Sequence, residues 1–137
     1  GFIEQHSDRI DWDLVSLHQV LSEKFIARHR KNVNWKYISQ QQILSESFIQ
    51  RFARYVDWSE ISYNQELSED FIAKNADRVN WRNITLMQDL SESFMERYSH
   101  LIDWGAVRAY QRVSDHFIVK HFDEIILAKI DKLKNAA

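Results

Sequence analysis

The chain reads as an all-α protein, an α-solenoid of about five and a half two-helix repeats, and three observations lead to that class. Its five Trp fall at Trp12, Trp35, Trp58, Trp81 and Trp104, 23 residues apart without exception. Six of its eight Phe, at Phe2, Phe25, Phe48, Phe71, Phe94 and Phe117, follow the same step. Only two Gly and no Pro occur in 137 residues, so the hairpin turns a sheet protein needs have nothing to make them.

The same step carries Ser22, Ser45, Ser68, Ser91 and Ser114, an acid after each, and Gln19, Gln42, Gln65, Gln88 and Gln111. The units are therefore a partial repeat at 1–21, then 22–44, 45–67, 68–90, 91–113 and a terminal unit at 114–137, in one domain spanning 1–137. The first helix of a unit starts at the Ser, whose hydroxyl can accept from an unpaired backbone N–H. The following acid (Glu23, Glu46, Glu69, Glu92 or Asp115) sets negative charge where the helix dipole favours it. Leu21 and Ile26 staple that cap, and equivalent apolar pairs recur in the later units.

The second helix starts at Asp11, Asn34, Asp57, Asn80 or Asp103, again a preferred N-cap, with Val33 and Ile38 as its staple. Asp57 with Glu60 also has the spacing of a capping box. Caps and staples make the turns, which is why Gly and Pro are dispensable.

Between the caps, Phe25, Ile26, position 29 and Val33 follow one helical spacing and Trp35, Ile38 and Gln42 another. Helices of about nine residues do not persist alone in water, so stability must come from stacking the Trp and Phe columns between neighbouring units. Core packing of the Trp column is favoured over an exposed ladder for nucleic-acid bases. The Gln column is read as a ladder satisfying backbone groups at the unit junction.

The ends differ from the middle. Gly1 stands where the third residue of a unit belongs and no Met precedes it, so the chain is read as a fragment of a longer array. In the last unit the Trp column becomes Leu127 and the Asn/Asp column Ile126, and the charged tail suits a capping repeat whose outer face meets water. Gly105, directly after Trp104, marks the stretch with Ala106 and Ala109 as a place for a bend or close contact.

Composition narrows the function. With 45% hydrophobic residues, 28% charged residues and no run of about 20 apolar residues, the chain is a core-forming domain that does not enter a membrane. A cytoplasmic setting is expected, and the oligomeric state is left open. No Cys removes thiol nucleophiles and Cys-type zinc sites. His6, His29 and His121 share a unit position, but no pair has HExxH spacing, and His116 with His121 falls on different helix faces. Neither a Gly-rich phosphate loop nor a nucleophile elbow is present, so no enzyme, metal or cofactor is expected.

At this point the unit LSEDFIAKNADRVNWRNITLMQ, carried in five copies over nearly the whole chain, resembles helical-repeat arrays of uncharacterised proteins of tailed phages and giant DNA viruses. More generically it is similar to tetratricopeptide and HEAT arrays, whose units are longer, so their peptide-binding residues do not carry over. The resemblance implies a repetitive binding surface, in a viral protein acting on a host factor in the host cytoplasm.

Two surfaces compete for that role. Recognition in repeat scaffolds sits where units differ, and the outer second-helix positions vary while staying apolar: Leu17, Tyr37, Tyr63, Leu86, Met87 and Tyr110 are the candidates for contact with a protein partner. The same residues could instead finish the inter-unit core. The alternative is a basic column, Arg28, Arg51, Lys74 and Arg97, able to track a phosphate backbone. Because the formal net charge is only −2 and acids recur beside the bases, salt bridging between repeats is favoured over nucleic acid. A spacer or self-assembling array is a third possibility.

Overall fold

The computed structural model describes residues 10–136, which hold eleven helices and no strand. They are α1 (Trp12–His18), α2 (Glu23–Arg28), α3 (Trp35–Gln41), α4 (Glu46–Arg51), α5 (Trp58–Asn64), α6 (Glu69–Lys74), α7 (Trp81–Met87), α8 (Glu92–Arg97), α9 (Trp104–Tyr110), α10 (Asp115–Lys120) and α11 (Phe122–Ala136). The chain is an all-α repeat solenoid of helix pairs. Gly1, Phe2 and His6 lie outside the described residues. No helix among the described residues is long and apolar enough to cross a membrane.

Every cap expected in the described repeats is made. Ser22 Oγ accepts from Phe25 N at 3.0 Å, and Asn34 Oδ1 accepts from Tyr37 N at 3.2 Å, the same roles recurring through the later units. The capping box at Asp57 closes on one side only. Asp57 Oδ1 accepts from Glu60 N at 3.1 Å, but Asp57 N already donates to Ser39 Oγ of the preceding repeat at 3.0 Å. The Glu60 carboxylate accepts from Asn64 Nδ2 instead, at 2.8 Å.

The helices are shorter than the nine residues expected, seven for α1 and six for α2. The first helix of each pair stops at a residue that keeps negative φ, −104° at His29 and −112° at Asn75, so no left-handed residue is used. The freed carbonyls find partners a few residues on. Val33 N donates to His29 O, and the Trp35 indole N–H donates to Arg30 O at 2.9 Å; Trp58, Trp81 and Trp104 repeat that indole bond.

The chain forms two compact units divided between Gln65 and Glu66. In the first, α3 packs against α1 and α5; in the second, α9 packs against α7 and α11, and α10 against α11. Ile26, Ile38, Ile49 and Ile61 are fully buried in the first unit, as are Ile72, Ile84, Met95 and Val107 in the second. Each described Trp is half-buried, and within the units Trp12, Trp35, Trp81 and Trp104 lie beside the Phe of the following repeat. Trp35 lies 6.3 Å from Phe48 and 5.6 Å from Phe52, Trp81 lies 6.2 Å from Phe94 and 5.3 Å from Tyr98, and Trp104 lies 6.0 Å from Phe117 and 4.6 Å from His121.

Polar junctions run beside these rings. Gln42 Nε2 donates to Ser16 O and Gln19 O while its Oε1 accepts from Leu21 N, so one buried amide satisfies three backbone groups of the preceding repeat. Gln65 and Gln111 do the same. The acid column departs from the salt bridging expected of it. Glu23 accepts from both Ser45 N and Ser45 Oγ, Glu69 from the same atoms of Ser91 and Glu92 from those of Ser114. A carboxylate beside the next helix's start meets unpaired N–H donors and the positive dipole end together, which outweighs a solvated Arg.

In the terminal unit α10 is followed by one long helix, α11, instead of a short second pair member. Ile126 replaces the N-cap, so nothing starts a new helix there and α11 runs 15 residues. Gly105 meets it closely: a Cβ at Gly105 would stand 3.7 Å from Ala128 Cβ and 3.2 Å from Asp103 Oδ1.

Candidate interaction surface

At 100° per residue, the fourth and fifth residues of α3, α5 and α7, such as Ile38 and Ser39, point into the core and leave the third, sixth and seventh toward the outside, whereas in α9 the buried pair is Ala106 and Val107 and the fifth residue, Arg108, is exposed. The candidates sit on this outer face to different depths. Leu17 and Tyr37 are half-buried on α1 and α3, and Tyr63 is exposed on α5. In the second unit Leu86 is half-buried, whereas Met87 is 50% and Tyr110 63% exposed. Met87 and Tyr110 end α7 and α9 at the same repeat position, on helices that pack together. Neutral Leu86 and Ala109 precede them, and charge enters nearby in sequence at Arg82, Asp89, Arg108 and Arg112.

Two exposed aliphatics escaped the sequence reading. Val20 is 100% and Ile43 97% exposed in the turns that follow α1 and α3. Their column continues as Glu66, Asp89 and Arg112, and a position that accepts either charge is solvent-facing. That was the available signal; a turn residue belongs to no helical stripe.

The basic column is exposed at Arg28, Arg51, Lys74 and Arg97. Two of its members also lie over neighbouring rings. The Arg51 guanidinium sits 5.1 Å over the Phe52 ring and that of Arg97 5.5 Å over Tyr98. Arg51 also lines a groove of about 450 Å³ with Glu23, Lys24 and Phe48, where charge of both signs is present. Lys120, next in the column, pairs with Glu96 at 2.8 Å. That hydrogen bond, with a second from His121 at 3.4 Å, holds the Glu96 carboxyl below the usual carboxylate range.

The Trp column (Trp12, Trp35, Trp58, Trp81, Trp104) and the Phe column (Phe25, Phe48, Phe71, Phe94, Phe117) belong to packing. The Phe are buried apart from half-buried Phe25, and each Trp is half-buried. His29 and His121 lie in the aromatic clusters, His29 4.5 Å from Phe25 and 5.0 Å from Trp12. Comparison with family profiles, with curated proteins and with solved structures finds no match to this chain.

Proposed function

We propose that the chain is a non-enzymatic protein-interaction module that presents the outer face of its second helices to a protein partner. The observation that carries this reading is the pair Met87 and Tyr110, both at least half exposed, at one repeat position on two helices in contact. Tyr and Met are enriched in interface cores, where charged residues are depleted. Tyr63 offers the same chemistry in the first unit. The resemblance of the repeat to viral arrays favours a host protein in the cytoplasm as the partner.

The test is capture on immobilised protein. Met87→Asp with Tyr110→Ala, and separately Tyr63→Ala, remove the apolar contacts from exposed positions and leave the far-UV circular dichroism unchanged. Loss of the partner band in the double variant supports the reading; retention at parental strength removes it. A nucleic-acid role for Arg28, Arg51, Lys74 and Arg97 is the second reading, disfavoured by the cover that Arg51 and Arg97 give to rings. It requires retention of RNA or DNA at about 50 mM salt that falls steeply as salt rises.

A further inference from the structure

α11 leaves an apolar stripe uncovered. The helix packs on α9 and α10, with Ile125 buried and Ala128 against Gly105. Phe122, Ile126, Ile130 and Leu133 recur at i, i+4, i+8 and i+11, one side of an α-helix. Phe122 is 53%, Ile130 41% and Leu133 64% exposed, and Leu127 flanks them at 60%. Elsewhere in this unit the second helices α7 and α9 are each packed by the second helix of the next repeat or by α11, whereas Phe122, Leu127, Ile130 and Leu133 stay exposed on α11 and only Ile126 is half-buried.

We propose that a second copy of this chain covers it, the two α11 helices packing antiparallel about a two-fold axis near residue 128. The stripe is self-complementary in that arrangement. Phe122 of one copy meets Leu133 of the other, and Ile126 meets Ile130. Charge selects the same direction. Asp123 and Lys134 are 11 residues apart, about 20° around the helix, so they share one flank at opposite ends. Antiparallel packing sets Asp123 of each copy beside Lys134 of the other, while parallel packing would set like charges together. The helix dipoles also oppose favourably. Lys129 and Lys132 line the groove that α11 makes with Gly105, Arg108 and Ala109 of α9, and Ile126 and Leu133 form the edge that this groove shares with the stripe. The interface is isologous and closes at two copies. One helix from each side buries less than a standard interface, so the association is weak and concentration-dependent.

Sedimentation velocity tests it. The parent should pass from monomer to dimer between about 1 and 500 µM. Ile130→Asp should keep the parental circular dichroism and remain monomeric throughout. Asp123→Lys alone and Lys134→Glu alone should each weaken dimerisation several-fold. The double variant, which restores opposite charges by symmetry, should return it to the parental range. A monomeric parent, an association that Ile130→Asp leaves intact, growth beyond two copies, or a double variant without rescue overturns the proposal. Met87→Asp with Tyr110→Ala should leave the equilibrium unchanged, so the two readings fail separately.

Discussion

Gln65 Nε2 donates to the carbonyl of Gln42 at 2.6 Å, and Gln42 Nε2 donates to the carbonyl of Gln19 at the same distance one repeat earlier. Gln65 also bonds Ser39 O and accepts from Leu44 N. Gln65→Leu keeps the volume and strands these groups, each at about 1–3 kcal/mol if water cannot reach it. Gln65→Glu is expected to be worse at neutral pH, because its oxygens would face two carbonyls. Chemical denaturation should rank parent above Leu above Glu.

Ser39 is fully buried and accepts from Asp57 N. Ser39→Ala orphans that donor and should cost about 1–3 kcal/mol. Ser39→Thr should be tolerated, since Thr85 fills the equivalent place, accepting from Asp103 N at 3.1 Å and donating to Trp81 O at 2.7 Å. A Thr variant as unstable as the Ala variant would count against the hydroxyl as the cause.

His29 Nε2 is buried without a hydrogen-bond partner among the described residues. Phe52 occupies the same repeat position, 5.6 Å from Trp35. His29→Phe should therefore raise the melting temperature, with a gain of about 1–2 kcal/mol from removing an unpaired polar atom. A lower melting temperature would mean the imidazole has a partner in solution.

Trp35 touches Phe48, Phe52 and Tyr55 and closes the carbonyl of Arg30. Trp35→Ala should cost about 3–5 kcal/mol. Amide exchange should show the loss concentrated on α3 and α4, with α9 and α10 less affected.

Glu96 titrates below the usual carboxylate range because Lys120 and His121 bond its ionised form. Its folded value thus lies under its unfolded one. The contact contributes stability at neutral pH and loses it as pH falls through the folded value. Lys120→Met should lower the melting temperature slightly at pH 7, by an amount that shrinks as pH falls through the folded value, and NMR titration should show the Glu96 midpoint moving up. Equal midpoints in parent and variant would contradict the bond.

Residues whose partner lies within a turn or two were legible in advance. The Ser and Asn/Asp columns cap two or three residues ahead, and a helix start needs no tertiary context to be recognised. The Gln column was legible in role, since a buried amide must be satisfied. Glu23 was not, because its partner Ser45 is 22 residues away and a nearby base is as plausible on paper. The half-closed box at Asp57 failed for the same reason: the competing acceptor, Ser39, comes from another repeat. The candidate face was legible as a stripe at Met87 and Tyr110. Val20 and Ile43 were hidden because extended turn residues follow no helical period.

The junction bonds also have a direction. Within the first compact unit, repeat 22–44 and the one before it offer a Glu carboxylate or a Ser hydroxyl to their successors and receive a Gln amide back, with separations of 22, 18 and 23 residues, and the second unit repeats the pattern at Glu69, Thr85 and Gln111. Both sides of a junction are thus the two ends of one pattern. Deleting or duplicating 23 residues within the regular repeats joins the same donor to the same acceptor, whatever the starting point, while a stretch of 22 or 24 mismatches them. Length in this fold is quantised, and a gene encoding it can gain or lose whole units by recombination without a new interface having to evolve.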